Sequence, residues 1–388
     1  MRLLNKQMLN FVSNSLDSLE AQIKQSTRID ATSLCLFRVV FGLFILFLRW
    51  PSFRWLSTVP DAFYNPPIFS LSSFLAGFPH AFVFYSIDFC LSVFIVALLI
   101  GLFTRFATVA LLTTLIVANS FQYSLGKIDH GGVLYLCVLL VMSFQDWGRY
   151  FSVDSLLFYG RQAHQESSRP HKNLYFLALL IAFSFFTAGF GKALAWVDFD
   201  LSTSGFLSWL YSGYFSYGRT HLLAPFIVGL DLPLLWELID YSAVLFELGF
   251  LLAMFWRRAW YVWLALGCFF HLSNSLLLNI PFNTNAIAYL AFIPWSQLGL
   301  FDRVSFHTFR RWIWLLLALW ATALALSFSL GSSFSGLAYS LGDLLNIPIP
   351  GLVISCVLWI ICLSLFIWVI ATGKLNYALK SFDPNLNN

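Results

Sequence analysis

The ionisable residues that stand out inside otherwise apolar stretches are Arg38, Asp88, His130, Lys192, Asp240, Glu247 and His271. Asp129 adjoins His130, and Asn119, Asn274 and Asn279 are neutral companions. A charged group in hydrocarbon is costly, and where one occurs it usually faces the protein interior and marks function. Lys192 carries the clearest chemistry. A lysine among apolar side chains has its charged form destabilised, and a neutral amine is a usable general base. A carboxylate close by opposes this, and Asp240 and Glu247 are the two in question. A histidine such as His130 can donate a hydrogen bond or relay the proton. The set suits removal of a proton from a weakly acidic, lipid-soluble molecule.

The spacing sorts the rest. His271 and Asn274 are three apart and share a helical face; Asp240 and Glu247, seven apart, do likewise. The competing interpretation is an interhelical hydrogen-bond network, at about 0.6 kcal/mol per bond. Neutral side chains could provide that more cheaply, so a lysine, two histidines and two carboxylates favour a working site. Arg38 and Asp88 stay open between structural and functional roles, since an arginine near a helix end can snorkel. No metal set is expected, because His130 and His271 lack a third ligand at helical spacing, and His164 and His171 read as a solvated loop. The six cysteines lie in apolar runs without CxxC spacing and read as small buried hydrophobes. No phosphate-binding glycine loop appears; Gly189 and Gly191 read as helix-packing positions.

These residues need elements to hold them. Hydrophobic residues make up 59% of the 388 and charged residues 10%, too little charge to cover a soluble surface, where about 25% is usual. The net charge of +4 is scattered, so nucleic acid is not an expected partner and membrane lipid is. The expected fold is all-α, a polytopic membrane bundle. With roughly 20 apolar residues needed per span, ten stretches qualify: 32–50, 80–101, 105–123, 130–147, 174–194, 235–255, 259–279, 283–301, 312–330 and 351–371. Starting inside, this count puts sixteen of the 22 Lys and Arg residues in cytoplasmic segments, as the positive-inside rule requires. Both termini are then cytoplasmic, and for a bacterial chain the membrane is the inner one. Eight spans also satisfy the charge test. The expected organisation is a cytoplasmic lead-in (1–31), a single transmembrane domain (32–372) and a cytoplasmic tail (373–388). The first thirty residues lack the pattern of a secretory signal. Residues 51–79 and 196–233 are rich in proline and aromatics and read as interfacial elements on the outer face. On this topology Lys192, His130, Asp240, Glu247 and His271 share the outer half of the bilayer, and Lys192, His130 and His271 should line one cavity.

Five local sequences, in order, resemble the HTTM family, that of vitamin K-dependent gamma-glutamyl carboxylase. They are LFRVVFGLFI (36–45), DHGGVLYLCVLL (129–140), DWGRYFSVDS (146–155), FFTAGFGKALAW (185–196) and FHLSNSLLLNI (270–280), the last followed by FIPW (292–295). The resemblance implies that Lys192 is a catalytic base and His130 its functional partner. His271, Asn274, Asp129, Asp240 and Glu247 are candidates for binding substrate or quinone. It implies a reduced quinone, of the vitamin K type or a menaquinol, as cofactor, no metal, and a peptide or protein substrate. In such enzymes the lysine deprotonates the hydroquinone, and oxygen turns it into a strongly basic alkoxide on the way to an epoxide. That base takes a proton from the γ-carbon of a glutamate, and carbon dioxide adds to the carbanion. Two departures qualify the likeness: where the animal carboxylase continues into a large luminal domain, an outer loop (about 331–350), a tenth helix and a short tail are expected here, and Gly191 stands where the carboxylase has a second lysine. A non-catalytic quinone-binding or peptide-maturation protein of the same fold is the alternative. A transporter is a third, disfavoured by the lack of an internal repeat.

Overall fold

The computed structural model describes residues 16–128, 130–159, 171–198, 200–298, 306–331 and 334–373. Its main elements are helices: α1 (Ala31–Leu48), α2 (Ala81–Ile100), α3 (Thr104–Tyr123), α4 (Val133–Ser143), α5 (Tyr175–Trp196), α6 (Gly205–Tyr211), α7 (Pro233–Ala253), α8 (Arg257–Leu277), α9 (Asn283–Leu290), α10 (Phe306–Leu330), α11 (Leu337–Leu344) and α12 (Pro350–Ala371). Strand is limited among the described residues to two three-residue pieces, Arg28–Asp30 and His171–Asn173. Among the described residues six helical segments are long and apolar enough to cross a membrane: α1, α2, α3, α5, residues 311–330 of α10, and α12. Helices α7 and α8 have 21 residues each but carry Glu237, Asp240 and Glu247, or Arg257 and Arg258.

The expected count of ten is not reached by this measure. The fourth stretch forms a helix of 11 residues and the eighth one of 8, about 17 and 12 Å at 1.5 Å per residue, against a hydrocarbon core of about 30 Å. The eighth stretch is nonetheless tied at both ends. Thr284 donates to the carbonyl of Gly131 at the start of α4, whereas Ser296 bonds to Ser33 and Asp30 at the start of α1. The stretch from Ala286 to Ile293 is almost wholly buried. Irregular backbone at membrane depth is tolerated when protein shields it from lipid, which is why a full-length helix is unnecessary there.

Contacts divide the chain into two compact units. One comprises residues 30–170 and 283–354. Here α1 packs on α2, α2 on α3, and α3 on α4. Arg38 is fully buried in α1. Its Nη1 donates to the carbonyls of Leu98 (2.6 Å) and Leu99 (2.9 Å), and its Nη2 to that of Phe151. The last carbonyls of a helix lack intrahelical donors and carry the negative end of its dipole, so Arg38 caps α2. Gly101 makes room for it: with φ +73°, any Cβ there would stand 2.6 Å from Arg38 Nη1. Asp88 accepts from Ser52 Oγ (2.8 Å), Phe53 N (2.7 Å) and Arg54 N (3.3 Å), tying the turn after α1 to α2. Asp154 accepts from Phe103 N (2.7 Å), Thr104 N (2.8 Å) and Thr104 Oγ1 (2.7 Å). It caps α3, which gives the DWGRYFSVDS tract a structural task.

The other unit comprises residues 1–29, 171–282 and 355–388. Its centre is the antiparallel seam of α5 and α7, with Phe185 stacked on Phe250 at 4.2 Å. Helix α8 follows α7 closely: the Trp263 indole donates to the Phe246 carbonyl at 3.1 Å. The α12 portion lies antiparallel to α8, through Ser275 with Ser355 (2.8 Å), His271 stacked on Trp359 (4.6 Å) and Tyr261 against Phe366 (6.2 Å). The N-terminal segment docks at the α7–α8 turn, where Ser26 donates to Met254 and Arg257 to Arg28.

Candidate functional site

Helix α5 ends with Gly189, Lys192 and Trp196 at intervals of three and four, which sets them along one side of its last two turns. Gly189 brings α5 against α7. A Cβ at this position would lie 2.7 Å from Glu247 Cβ and 3.1 Å from Leu248 N, closer than real contacts permit. The expectation that Gly189 serves packing holds. It fails for Gly191, where a Cβ would meet nothing within 4 Å.

One turn beyond Gly189, the Lys192 Nζ binds Glu247 Oε1. The lysine side chain keeps 24% of its exposure and the glutamate 3%. The carboxylate is therefore the enclosed partner, and the lysine side chain is the more exposed of the two. Glu247 Oε2 is buried with no partner among the described residues. Two aromatic rings complete the surroundings of Nζ: Trp196 with its centroid at 5.1 Å and Phe270 at 5.6 Å. Both are within the range of cation–π attraction. Neither ring was singled out from sequence. Trp196 was signalled by its spacing of four from Lys192 on one helix, whereas nothing local marks Phe270, which arrives from α8.

His271 is buried in α8 and close to this group. Phe270 is 5.7 Å from its ring and Phe185 6.0 Å, with Phe282 and Trp359 also against it. Asn274 is half-buried one turn further along α8. Asp240 is placed differently from Glu247. Its two oxygens accept from Gly205 N (2.9 Å) and Phe206 N (2.8 Å), while Ser204 Oγ accepts from Leu207 N at 3.2 Å. Together they satisfy the free amides that open α6. Gly205 also lies against the Trp196 ring, since a Cβ there would be 2.2 Å from it. Asp240 and Trp196 thus fix α6, next to the lysine's ring neighbour.

His130 opens a short 3-10 turn, His130–Gly132, in the unit that does not hold Lys192. Its side chain, and Asp129 altogether, lie outside the described residues. Arg38 and Asp88 are in the same unit as His130 and are engaged in the structural bonds given above. Among the described residues no group of three His, Cys, Asp or Glu side chains could hold a metal ion.

The arrangement is thus an amine, half-sheltered between two rings, with an enclosed carboxylate behind it. A profile of the HTTM domain matches residues 27–294 of the chain. The chain belongs to the HTTM family. HTTM is the domain found in vitamin K-dependent carboxylase-type proteins, and the match includes Lys192, Glu247 and His271. With its six membrane-length apolar helices, this HTTM protein is a membrane protein of that type. No curated protein and no solved structure matches the chain.

Proposed function

We propose that this HTTM protein is an integral-membrane enzyme in which Lys192 takes a proton from a reduced quinone, in the service of carboxylation or related base chemistry on a peptide. The observation that carries the reading is the setting of Lys192: an accessible amine at the end of a membrane-length helix, bound to Glu247 and flanked by Trp196 and Phe270, inside the family match. These residues fit a quinol of the vitamin K or menaquinol type. A flat apolar ring needs aromatic faces, which Trp196 and Phe270 offer. Its hydroxyl needs an acceptor, which the lysine nitrogen supplies in its neutral form. Bound there, with oxygen, the quinol supplies the strong base that acts on a peptide glutamate, and carbon dioxide is the group added. The chain's own part is narrower. Lys192 accepts the hydroxyl proton at Nζ, the rings orient the substrate and exclude water, and α6, held by Asp240, closes the neighbouring face. By the family likeness His130 is proposed to donate or relay a proton, and His271 and Asn274 to help bind the quinone.

On this reading the site opens to the outer half of the membrane and both termini are cytoplasmic. The test is incorporation of radiolabelled bicarbonate into a glutamate-containing peptide by the purified protein, with reduced naphthoquinone and oxygen. Label that depends on the quinol supports the assignment. Full labelling without quinol refutes the quinol-dependent step, and no labelling under any condition while the quinol binds leaves a quinone-binding protein without this chemistry.

A further inference from the structure

Glu247 is one of the two carboxylates that the sequence sets against a neutral Lys192; the structure binds it to the amine, where it favours the ammonium, and its placement is specific. Glu247 lies on the closed side of Nζ and has Lys192 as its one hydrogen-bond partner among the described residues, because Oε2 has none. Along the same seam Phe185, Phe246 and Phe250 pack on one another. Gly189 removes the side chain that would otherwise hold α5 away from it. Asp240, the other candidate on this face of α7, is committed to the α6 amides. A buried carboxylate with one partner is expensive to keep, and an interhelical contact alone does not require one.

We infer that Glu247 is a positioning residue for Lys192: it accepts an N–H from the amine, turning the nitrogen lone pair to the accessible side, and it balances the ammonium formed when the amine takes a proton. This rests on the proposed role of Lys192 as base. The step balances simply. The O–H bond of the quinol breaks, an N–H bond forms at Nζ with the nitrogen lone pair, and the electron pair of the O–H bond stays on the quinol oxygen. No electron leaves the pair of molecules. The carboxylate does not receive the proton. It spares the site an unbalanced cation in apolar surroundings, where charge interactions are strong. The logic is that of an acidic residue that orients a catalytic histidine and stabilises its charged form, with lysine in place of histidine.

Glu247→Gln and Glu247→Ala separate the two effects, because the glutamine oxygen still accepts an N–H while the charge is lost. Two readouts on the full-length protein in detergent are informative. The first is turnover of the quinol. Glu247→Gln should lower kcat by roughly a hundredfold, in the range of general-base effects, with KM for the quinol unchanged, and Glu247→Ala should lower it further. The second needs no turnover: the rate at which a membrane-soluble amine-reactive reagent labels Lys192, read by mass spectrometry at one fixed pH. Loss of the carboxylate frees the amine, so labelling should rise severalfold in Glu247→Gln while turnover falls. A contact that only holds α5 to α7 raises labelling in the same way but leaves kcat unchanged in protein that remains folded, so the fall in turnover is what marks the positioning role. Unchanged labelling in both variants overturns the inference even if no turnover is found. Raised labelling without turnover in wild type keeps the pair and refutes the enzymatic reading instead. A raised KM with kcat unchanged would place Glu247 on the quinol and overturn the positioning role.

Discussion

Glu247 reaches the Nζ of Lys192 across the seam of α5 and α7, and the seam is narrow enough because residue 189 is glycine. The first expected outcome follows from that geometry. Gly189→Ala sets a methyl group 2.7 Å from Glu247 Cβ, and overpacking of this kind costs about 1–3 kcal/mol. Gly191→Ala meets nothing within 4 Å and should leave stability unchanged or raise it by up to about 1 kcal/mol. Thermal unfolding in detergent, followed by tryptophan fluorescence, compares the two. Equal losses would show that the close approach at Gly189 does not govern the packing.

Arg38 is a structural arginine. Replacing it with methionine strips its donors from three carbonyls, two of them at the end of α2. Unpaired buried acceptors cost about 1–3 kcal/mol each, so Arg38→Met should unfold well below wild type. Arg38→Lys keeps the charge without the planar fork and should fall between. Limited proteolysis and thermal unfolding report this. Turnover per folded molecule should not change; a specific loss of turnover at wild-type stability would return Arg38 to the functional set.

The helical class was legible in the sequence, because apolar runs, and lone charges within them, are local features. The partnerships were not. Lys192 and Glu247 are 55 positions apart, and no periodicity pairs them; what brings them together is the antiparallel α5–α7 packing. Asp240 was grouped with Glu247 by a seven-residue spacing, but two turns are about 10 Å of rise, enough to give the two carboxylates different neighbours. The stretch that holds the short α9 has the composition of a full helical span, because an apolar run reads the same whether protein or lipid covers it. Arg38 and Asp88 could not be decided, since capping depends on where other helices end.

Topology can be checked by reporter fusions. The Lys and Arg bias expects a reporter placed after Lys374 to be cytoplasmic and one placed within 331–350 to be external. The same signal at both sites would mean that α12 does not cross, and the assignment of the C-terminus would be lost.

Substitution at Lys192 tests the central claim most directly, with quinol-dependent product formation by purified, folded protein as the readout. Lys192→Ala should reduce turnover by roughly a hundred- to ten-thousandfold, the span typical of a lost general base, while folding and membrane insertion persist. His130→Ala should slow turnover without abolishing it. Lys192→Arg is the decisive variant, because arginine keeps a positive charge beside Glu247 but cannot release its proton at working pH. The account predicts that it is as inactive as Lys192→Ala. Full activity in Lys192→Arg would show that a fixed charge at this place suffices, and the general-base role of Lys192 would be contradicted.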